Sequence, residues 1–152
     1  MAKFVYRMQS VLDVKLKLEE QEKLAFAAAK IKLDEEQDRL DALQNRKAEY
    51  EKKGRQLRMQ KLDFLEIAAN QTAVEHMEEK IEEQLVRVED AQEALERERK
   101  ALTQIMMERK AQEILREKAF EEFRHEINRA ESKEVDELTS YVYGRAAQLT
   151  DR

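Results

Sequence analysis

The chain has 152 residues, of which 41% are charged and 6% aromatic, with 2 Gly, 0 Pro and a net charge of -5. An ordinary globular domain has about 25% charged residues, and β-folds draw heavily on Gly and Pro for their turns. The composition therefore excludes a barrel, a sandwich or a doubly wound sheet, predicts one all-α domain, and gives no general electrostatic reason to bind nucleic acid.

The first half of the chain has the apolar spacing of a long helix. Val5, Met8, Leu12 and Leu16 are three or four residues apart, close to the 3.6-residue period of a straight helix. Heptad spacing follows, with polar gaps at Glu36, Lys47 and Gly54, and its apolar members are Phe26, Ala29, Leu33, Leu40, Leu43, Tyr50 and Leu57. We predict helix one over about 4–58.

A helix-start signal lies near the middle of the chain. Asp63 can cap the first N–H groups of a new helix, with Glu66 three residues later, and Leu62 and Ile67 are spaced to pack as a hydrophobic staple. We therefore place the turn at about 59–62. A second capping box at Thr72 is a rival site, and a continuous rod of about 150 residues is a further alternative.

The second half of the chain has a strong heptad column. Six apolar residues recur every seven positions, namely Ile67, Val74, Ile81, Val88, Leu95 and Leu102. Such a run is typical of a coiled coil. The column three residues further on is half polar and includes Asn70, Gln84 and Glu98, so we expect pairing of modest strength.

The apolar positions after Leu102 follow a straight-helix period and form a dense stripe. Its members are Phe120, Phe123, Ile127, Val135, Leu138, Tyr141 and Val142. We predict helix two over about 63–145, with 146–152 a frayed tail, and one antiparallel two-helix coiled coil, an α-hairpin, over 1–152. Centred near residue 61, this pair leaves everything beyond about 118 as an exposed overhang, for which a partner is expected unless helix one is longer or the molecule dimerises there.

Catalytic signals are sparse. The chain has two histidines, His76 and His125, no Cys and no glycine-rich phosphate loop. Glu79 lies on the same helical face as His76, but a metal site needs further ligands. We therefore expect no enzyme, no metal, no cofactor, no small-molecule substrate and no nucleic-acid partner.

Two further clusters are candidate contact surfaces. A basic group near the turn consists of Lys52, Lys53, Arg55, Arg58 and Lys61, and it is either a solubilising tip or a docking site for an acidic protein or anionic lipid. Ala73 and Met77 share one helical face, close to Leu43 and Tyr50 of helix one. This patch is either the rim of the seam or a contact site.

The bulk composition also bears on the compartment. There is no Cys, and the longest apolar run, residues 24–29, has six residues, against about 18 for a bilayer span. No hydrophobic signal-peptide core precedes a small-residue cleavage site. We expect a soluble, intracellular protein.

The N-terminal run FVYRMQSVLDVK, residues 4–15, resembles the opening of the FliJ family of flagellar export proteins. The chain length, the helix start over 63–81 and the run ESKEVDEL at 131–138 are also similar to that family. The resemblance covers nearly the whole chain, although a clear Gly/Ser loop before helix two is missing. An injectisome stalk protein of the same kind and a general coiled-coil scaffold or tether are the alternatives.

The resemblance implies a cytoplasmic, non-enzymatic stalk that associates with the membrane through the export apparatus. Its partners would be a hexameric flagellar export ATPase, an export gate membrane protein and export chaperones. By position, the ATPase end would comprise Phe4, Tyr6, Arg7, Phe120, Phe123, Ile127, Leu138 and Tyr141. The gate side would comprise Leu43, Tyr50, Ala73 and Met77.

Overall fold

The computed structural model describes residues 2–150, which form two α-helices and no strand. Helix α1 is Gln9–Met59 and helix α2 is Phe64–Thr150. They pack against each other, and cross-helix partners lie at similar distances along the chain from the turn at 60–63. The pairing is therefore antiparallel, and the predicted all-α class of two long packed helices is confirmed.

Helix α1 begins at Gln9, whereas the sequence predicted a start near residue 4. Residues 2–6 have no regular structure and Arg7 and Met8 form a turn, closed by a hydrogen bond from the Gln9 N–H to the Tyr6 carbonyl at 3.1 Å. The apolar spacing of Val5 and Met8 is compatible with a helix. Contacts between the segment's aromatic side chains and α2 hold it in a non-helical conformation instead.

Helix α2 begins where the Asp63 cap predicts. The Asp63 carboxylate accepts hydrogen bonds from the N–H groups of Leu65 at 3.1 Å and Glu66 at 3.4 Å, and the Asp63 carbonyl accepts the first helical bond, from Ile67, at 3.0 Å. These bonds satisfy donors that a helix N-terminus otherwise leaves free. The rival start at Thr72 is wrong, because Thr72 lies inside α2 and its hydroxyl donates to the Ala68 carbonyl at 3.0 Å.

Helix α2 continues to Thr150, past the predicted end near 145. Gly144 stays helical with no positive φ, and the Thr150 hydroxyl donates to the Ala146 carbonyl at 2.9 Å. Since Gly lowers helix propensity by only about 1 kcal/mol relative to Ala, one Gly does not end the helix. Of the predicted frayed tail, residues 146–150 are thus helical, while 151 and 152 lie outside the described residues.

Contacts divide the described chain into two compact units. The turn unit is residues 18–105, and the terminal unit is 2–17 together with 106–150. In the turn unit, the most buried apolar side chains are Leu40, Met77, Val88 and Ala91. Both heptad columns of α2, the one beginning at Ile67 and the one three residues on, are buried or half-buried at every position in this unit. The half-polar column therefore belongs to the seam.

Polar residues in the seam of the turn unit have partners on the opposite helix. Gln84 donates through its side-chain amide to both the carbonyl and the carboxylate of Glu36, and both side chains are buried. Lys47 approaches Glu78 at 3.4 Å. The polar gaps in the two halves of the sequence thus face each other, which favours this register, because a slip would leave buried polar groups unpaired.

Gly54 makes room for another polar contact in the turn unit. The amide nitrogen of Asn70 donates to the Tyr50 carbonyl at 2.9 Å, and its amide oxygen lies where a Cβ of residue 54 would be. Gly54 itself is buried within α1 and has no positive φ. Its role is therefore to admit the close approach of Asn70.

Candidate partner-binding surfaces

The N-terminal segment of the terminal unit is held to α2 by aromatic contacts, here called the aromatic clasp, formed by Phe4, Phe120, Phe123 and Arg116. The Phe4 ring meets Phe120 edge-on, with centroids 5.2 Å apart, and lies 5.5 Å from Phe123. The Arg116 guanidinium lies 5.6 Å from the Phe4 centroid, within cation–π distance. These contacts use three of the predicted ATPase-end aromatics to fasten the chain's own N-terminal segment.

The expectation that everything beyond about residue 118 is uncovered is therefore wrong for Phe120 and Phe123. An extended chain advances about 3.3 Å per residue against 1.5 Å in a helix. Because residues 2–6 are not helical, Phe4 reaches further along α2 than a helical Phe4 does. Phe123 and Ile127 are half-buried, and Phe120 remains 43% exposed.

Tyr6 and Arg7 have opposite environments. Tyr6 is buried, and its hydroxyl donates to the Gln112 side-chain oxygen at 2.8 Å. Nearby, the Arg116 Nε donates to the Gln9 side-chain oxygen at 2.9 Å. Tyr6 therefore anchors the segment, whereas Arg7 is exposed and available to a partner.

From residue 128 to residue 150, every side chain of α2 is exposed. We call this stretch the open segment. Leu138 and Tyr141, which the sequence singled out, are 64% and 66% exposed. Two residues that sequence reasoning missed, Tyr143 and Leu149, are also strongly exposed. The adjacent run Tyr141-Val142-Tyr143 was the available signal, since three successive apolar residues cannot share one helical face.

The predicted gate-side residues do not share one environment. Leu43 is half-buried. Tyr50 and Ala73 line a groove of the turn unit together with Lys53, Leu57, Glu66, Ala69 and Asn70. Met77 is only 4% exposed and belongs to the seam. Ala73 and Met77 are four residues apart on one helical face, yet only Met77 is a core residue. The reason is that Met77 belongs to the second heptad column of α2.

The pKa values of two carboxyl groups in the turn unit, those of Glu36 and Glu22, are shifted in opposite directions. The Lys32 ammonium, with help from the Gln84 amide, holds the pKa of Glu36 below its ordinary value. The Glu98 carboxyl beside Glu22 raises the pKa of Glu22, and burial adds to that shift. One carboxylate oxygen of Glu22 is buried without a hydrogen-bond partner.

No group of three or more His, Cys, Asp or Glu side chains that could hold a metal ion occurs within residues 2–150. His76 and His125 are both exposed. Neither helix, over the same residues, is long and apolar enough to cross a membrane.

Comparison with known proteins identifies the chain's relatives. The family model for the flagellar FliJ protein matches residues 4–148. Among curated proteins and among solved structures, none matches the chain significantly. The family match includes the clasp, both helices and nearly all of the open segment. The chain therefore belongs to the FliJ family, whose members are non-catalytic components related to flagellar protein export.

Proposed function

We propose that this chain is a coupling stalk of the flagellar export apparatus, which binds the hexameric export ATPase and the export gate membrane protein and escorts export chaperones. The observation that carries the proposal is the family match over residues 4–148, which includes nearly all of the uncovered open segment. An apolar helix face without a cover within the chain is suited to capture a partner helix or groove.

In this proposal the terminal unit binds the ATPase. Leu138, Tyr141 and Arg7 are, with Phe120, its exposed members among the residues assigned by resemblance. Tyr6 and Phe4 act indirectly, since they fix the N-terminal segment on α2. A stiff helix that presents such a surface can bias assembly or turnover of a ring without taking part in the chemistry.

The gate contact in this proposal lies on the groove of the turn unit. Tyr50 and Ala73 line it, and Leu43 adds a half-buried apolar side chain. Met77 is buried in the seam, so its role in this proposal is to pack beneath the groove and not to contact the gate protein directly. The protein would then be cytoplasmic and peripheral to the membrane through the gate, with a part in flagellar motility and chemotaxis.

The ATPase contact is tested by the hydrolysis rate of the purified hexameric export ATPase with and without the chain. We expect stimulation by the native chain. The variant Leu138→Ser/Tyr141→Ser should bind on the order of 30-fold more weakly for each residue changed, because an interface aromatic or apolar anchor contributes about 2 kcal/mol. Leu24→Ser/Val86→Ser, which changes two exposed apolar residues of the turn unit, is the matched control and should stimulate fully.

The gate contact is tested by capture of the gate protein's cytoplasmic domain. Ala73→Glu adds a carboxylate to a groove that Glu66 also lines, and it should abolish capture while ATPase stimulation is retained. Far-UV circular dichroism checks that helicity is unchanged in each variant. A native chain that neither binds nor stimulates the ATPase would contradict the stalk and favour a general scaffold.

A further inference from the structure

Four large apolar side chains lie exposed around the turn. They are Met59, Leu62, Phe64 and Leu65, at 87%, 55%, 75% and 85% exposure. They fall within seven consecutive residues, at the end of α1, in the turn and in the first turn of α2. We call residues 52–66 the tip. Apolar area of this density is unusual on a protein surface unless something binds there.

The same tip is basic in an acidic protein. Residues 52–66 contain five basic side chains and two acidic ones, while the whole chain has a net charge of -5. The five are Lys52, Lys53, Arg55, Arg58 and Lys61, and all are exposed.

The charges of the tip are free to meet a partner. Every ion pair found in the described part of the chain involves side chains outside this basic group. Of the two tip acids, Asp63 is engaged by the N–H groups of Leu65 and Glu66 at the helix cap. The positive charge is therefore not neutralised by ion pairs within the tip.

The combination determines the class of partner. Basic side chains next to exposed Phe, Leu and Met residues suit a bilayer surface, where anionic headgroups lie immediately above an apolar acyl layer. An acidic protein surface satisfies the charges but leaves Met59, Phe64 and Leu65 in water unless it also offers a fitted pocket. A lipid surface takes up both kinds of side chain without shape complementarity.

We propose that the tip docks directly on anionic phospholipid bilayers, with Met59, Phe64 and Leu65 entering the boundary between headgroups and acyl chains. Lys52, Lys53, Arg55, Arg58 and Lys61 bind the headgroup layer. The contact is peripheral and reversible, and it requires neither the ATPase nor the gate protein. It goes beyond the coupling function, and its test uses the chain alone.

The first experiment is flotation of the full chain with vesicles of phosphatidylcholine, with or without phosphatidylglycerol. We expect the chain to float only with the anionic vesicles. Lys52→Gln/Arg55→Gln should lower binding by about fivefold for each basic residue removed. Phe64→Ser/Leu65→Ser should lower it on the order of tenfold per residue, since each substitution removes an apolar side chain whose transfer out of water favours binding.

The matched control is Leu24→Ser/Val86→Ser, which removes two exposed apolar residues of the same unit away from the tip. It should bind anionic vesicles as the native chain does. Circular dichroism of every variant checks helicity. Equal binding to both vesicle types, or unchanged binding of the two tip variants, overturns the proposal.

The second experiment places a fluorescent probe at the tip. The chain contains no Trp, so Phe64→Trp supplies a single reporter. We expect its emission to shift to the blue with phosphatidylglycerol vesicles, whereas Val86→Trp should not shift. Absence of the shift at residue 64 overturns insertion. Binding to polyglutamate, a stand-in for an acidic protein, without binding to anionic vesicles would assign the tip to a protein partner instead.

Discussion

The seam of the turn unit and the open segment of the terminal unit distribute polar and apolar side chains in opposite ways. In the turn unit, Glu36 and Gln84 are buried in the seam, at 3% and 5% exposure. In the terminal unit, the open segment leaves apolar side chains such as Leu138 and Tyr143 mostly in water. Buried polar pairs favour one register, while exposed apolar residues gain stability only when a partner covers them.

This difference separates covered from uncovered residues within one repetitive pattern. Heptad positions of the turn unit have an opposing helix, so a polar residue there needs a partner such as the Glu36 that Gln84 finds. Comparable positions after residue 127 have no cover among the described residues. An exposed Tyr or Leu adds little to the stability of the fold. Its presence at these exposed positions of α2 is therefore better explained by binding.

The largest effect on the free energy of unfolding is expected when a buried leucine is truncated, and truncation of an exposed leucine provides the comparison. Leu40→Ala should lower the free energy of unfolding by about 2–5 kcal/mol, since Leu40 is 5% exposed and its truncation leaves a cavity. Leu138→Ala, at a 64% exposed site, should change it by less than about 0.5 kcal/mol. Urea denaturation followed by circular dichroism measures both, and equal losses would show that the open segment is covered in solution.

A smaller effect is expected in the N-terminal segment of the terminal unit. Tyr6→Phe removes the hydroxyl that donates to Gln112 and should cost about 1 kcal/mol. Phe4→Ala removes the ring contacts of the aromatic clasp and should cost at least as much. Limited proteolysis should cut residues 2–8 faster in both variants. Val5→Ala, at a 77% exposed residue of the same segment, is the control and should be cut at the native rate.

The smallest expected effects are the opposite pH responses of two carboxylates in the turn unit. The lowered pKa of Glu36 means that its stabilising contribution is present above its unfolded pKa and is lost as pH falls through the folded pKa. The raised pKa of Glu22 means that its contribution is present below its unfolded pKa and is lost as pH rises through the folded pKa.

Thermal unfolding across the acid range separates these two responses. Glu36→Gln should lower Tm at neutral pH and reduce the loss of stability on acidification. Glu22→Gln should raise Tm at neutral pH, because it removes a carboxylate from beside Glu98. Equal shifts of the same sign in the two variants would show that neither partner contact determines the titration.

The heptad columns and the Asp63 capping signal were sufficient to predict two antiparallel helices and the place where they turn. Both features depend on local chemistry. Apolar spacing selects the helix face, and the Asp63 carboxylate accepts hydrogen bonds from N–H groups two and three residues later in the chain. Met77 could not be assigned in the same way. Sequence spacing left it between rim and contact site, whereas its burial depends on the opposite helix.

The sequence by itself therefore determined the all-α class, the turn and the apolar heptad column of α2 that begins at Ile67. Only the tertiary structure decided that residues 2–6 leave the helical path, so that Phe4 closes on Phe120 and Phe123. Periodicity reports which face of a helix is apolar, and it carries no information on how far a non-helical segment reaches. The reach of residues 2–6 determines how far along α2 the N-terminal segment covers apolar side chains. It therefore also determines which apolar side chains stay exposed.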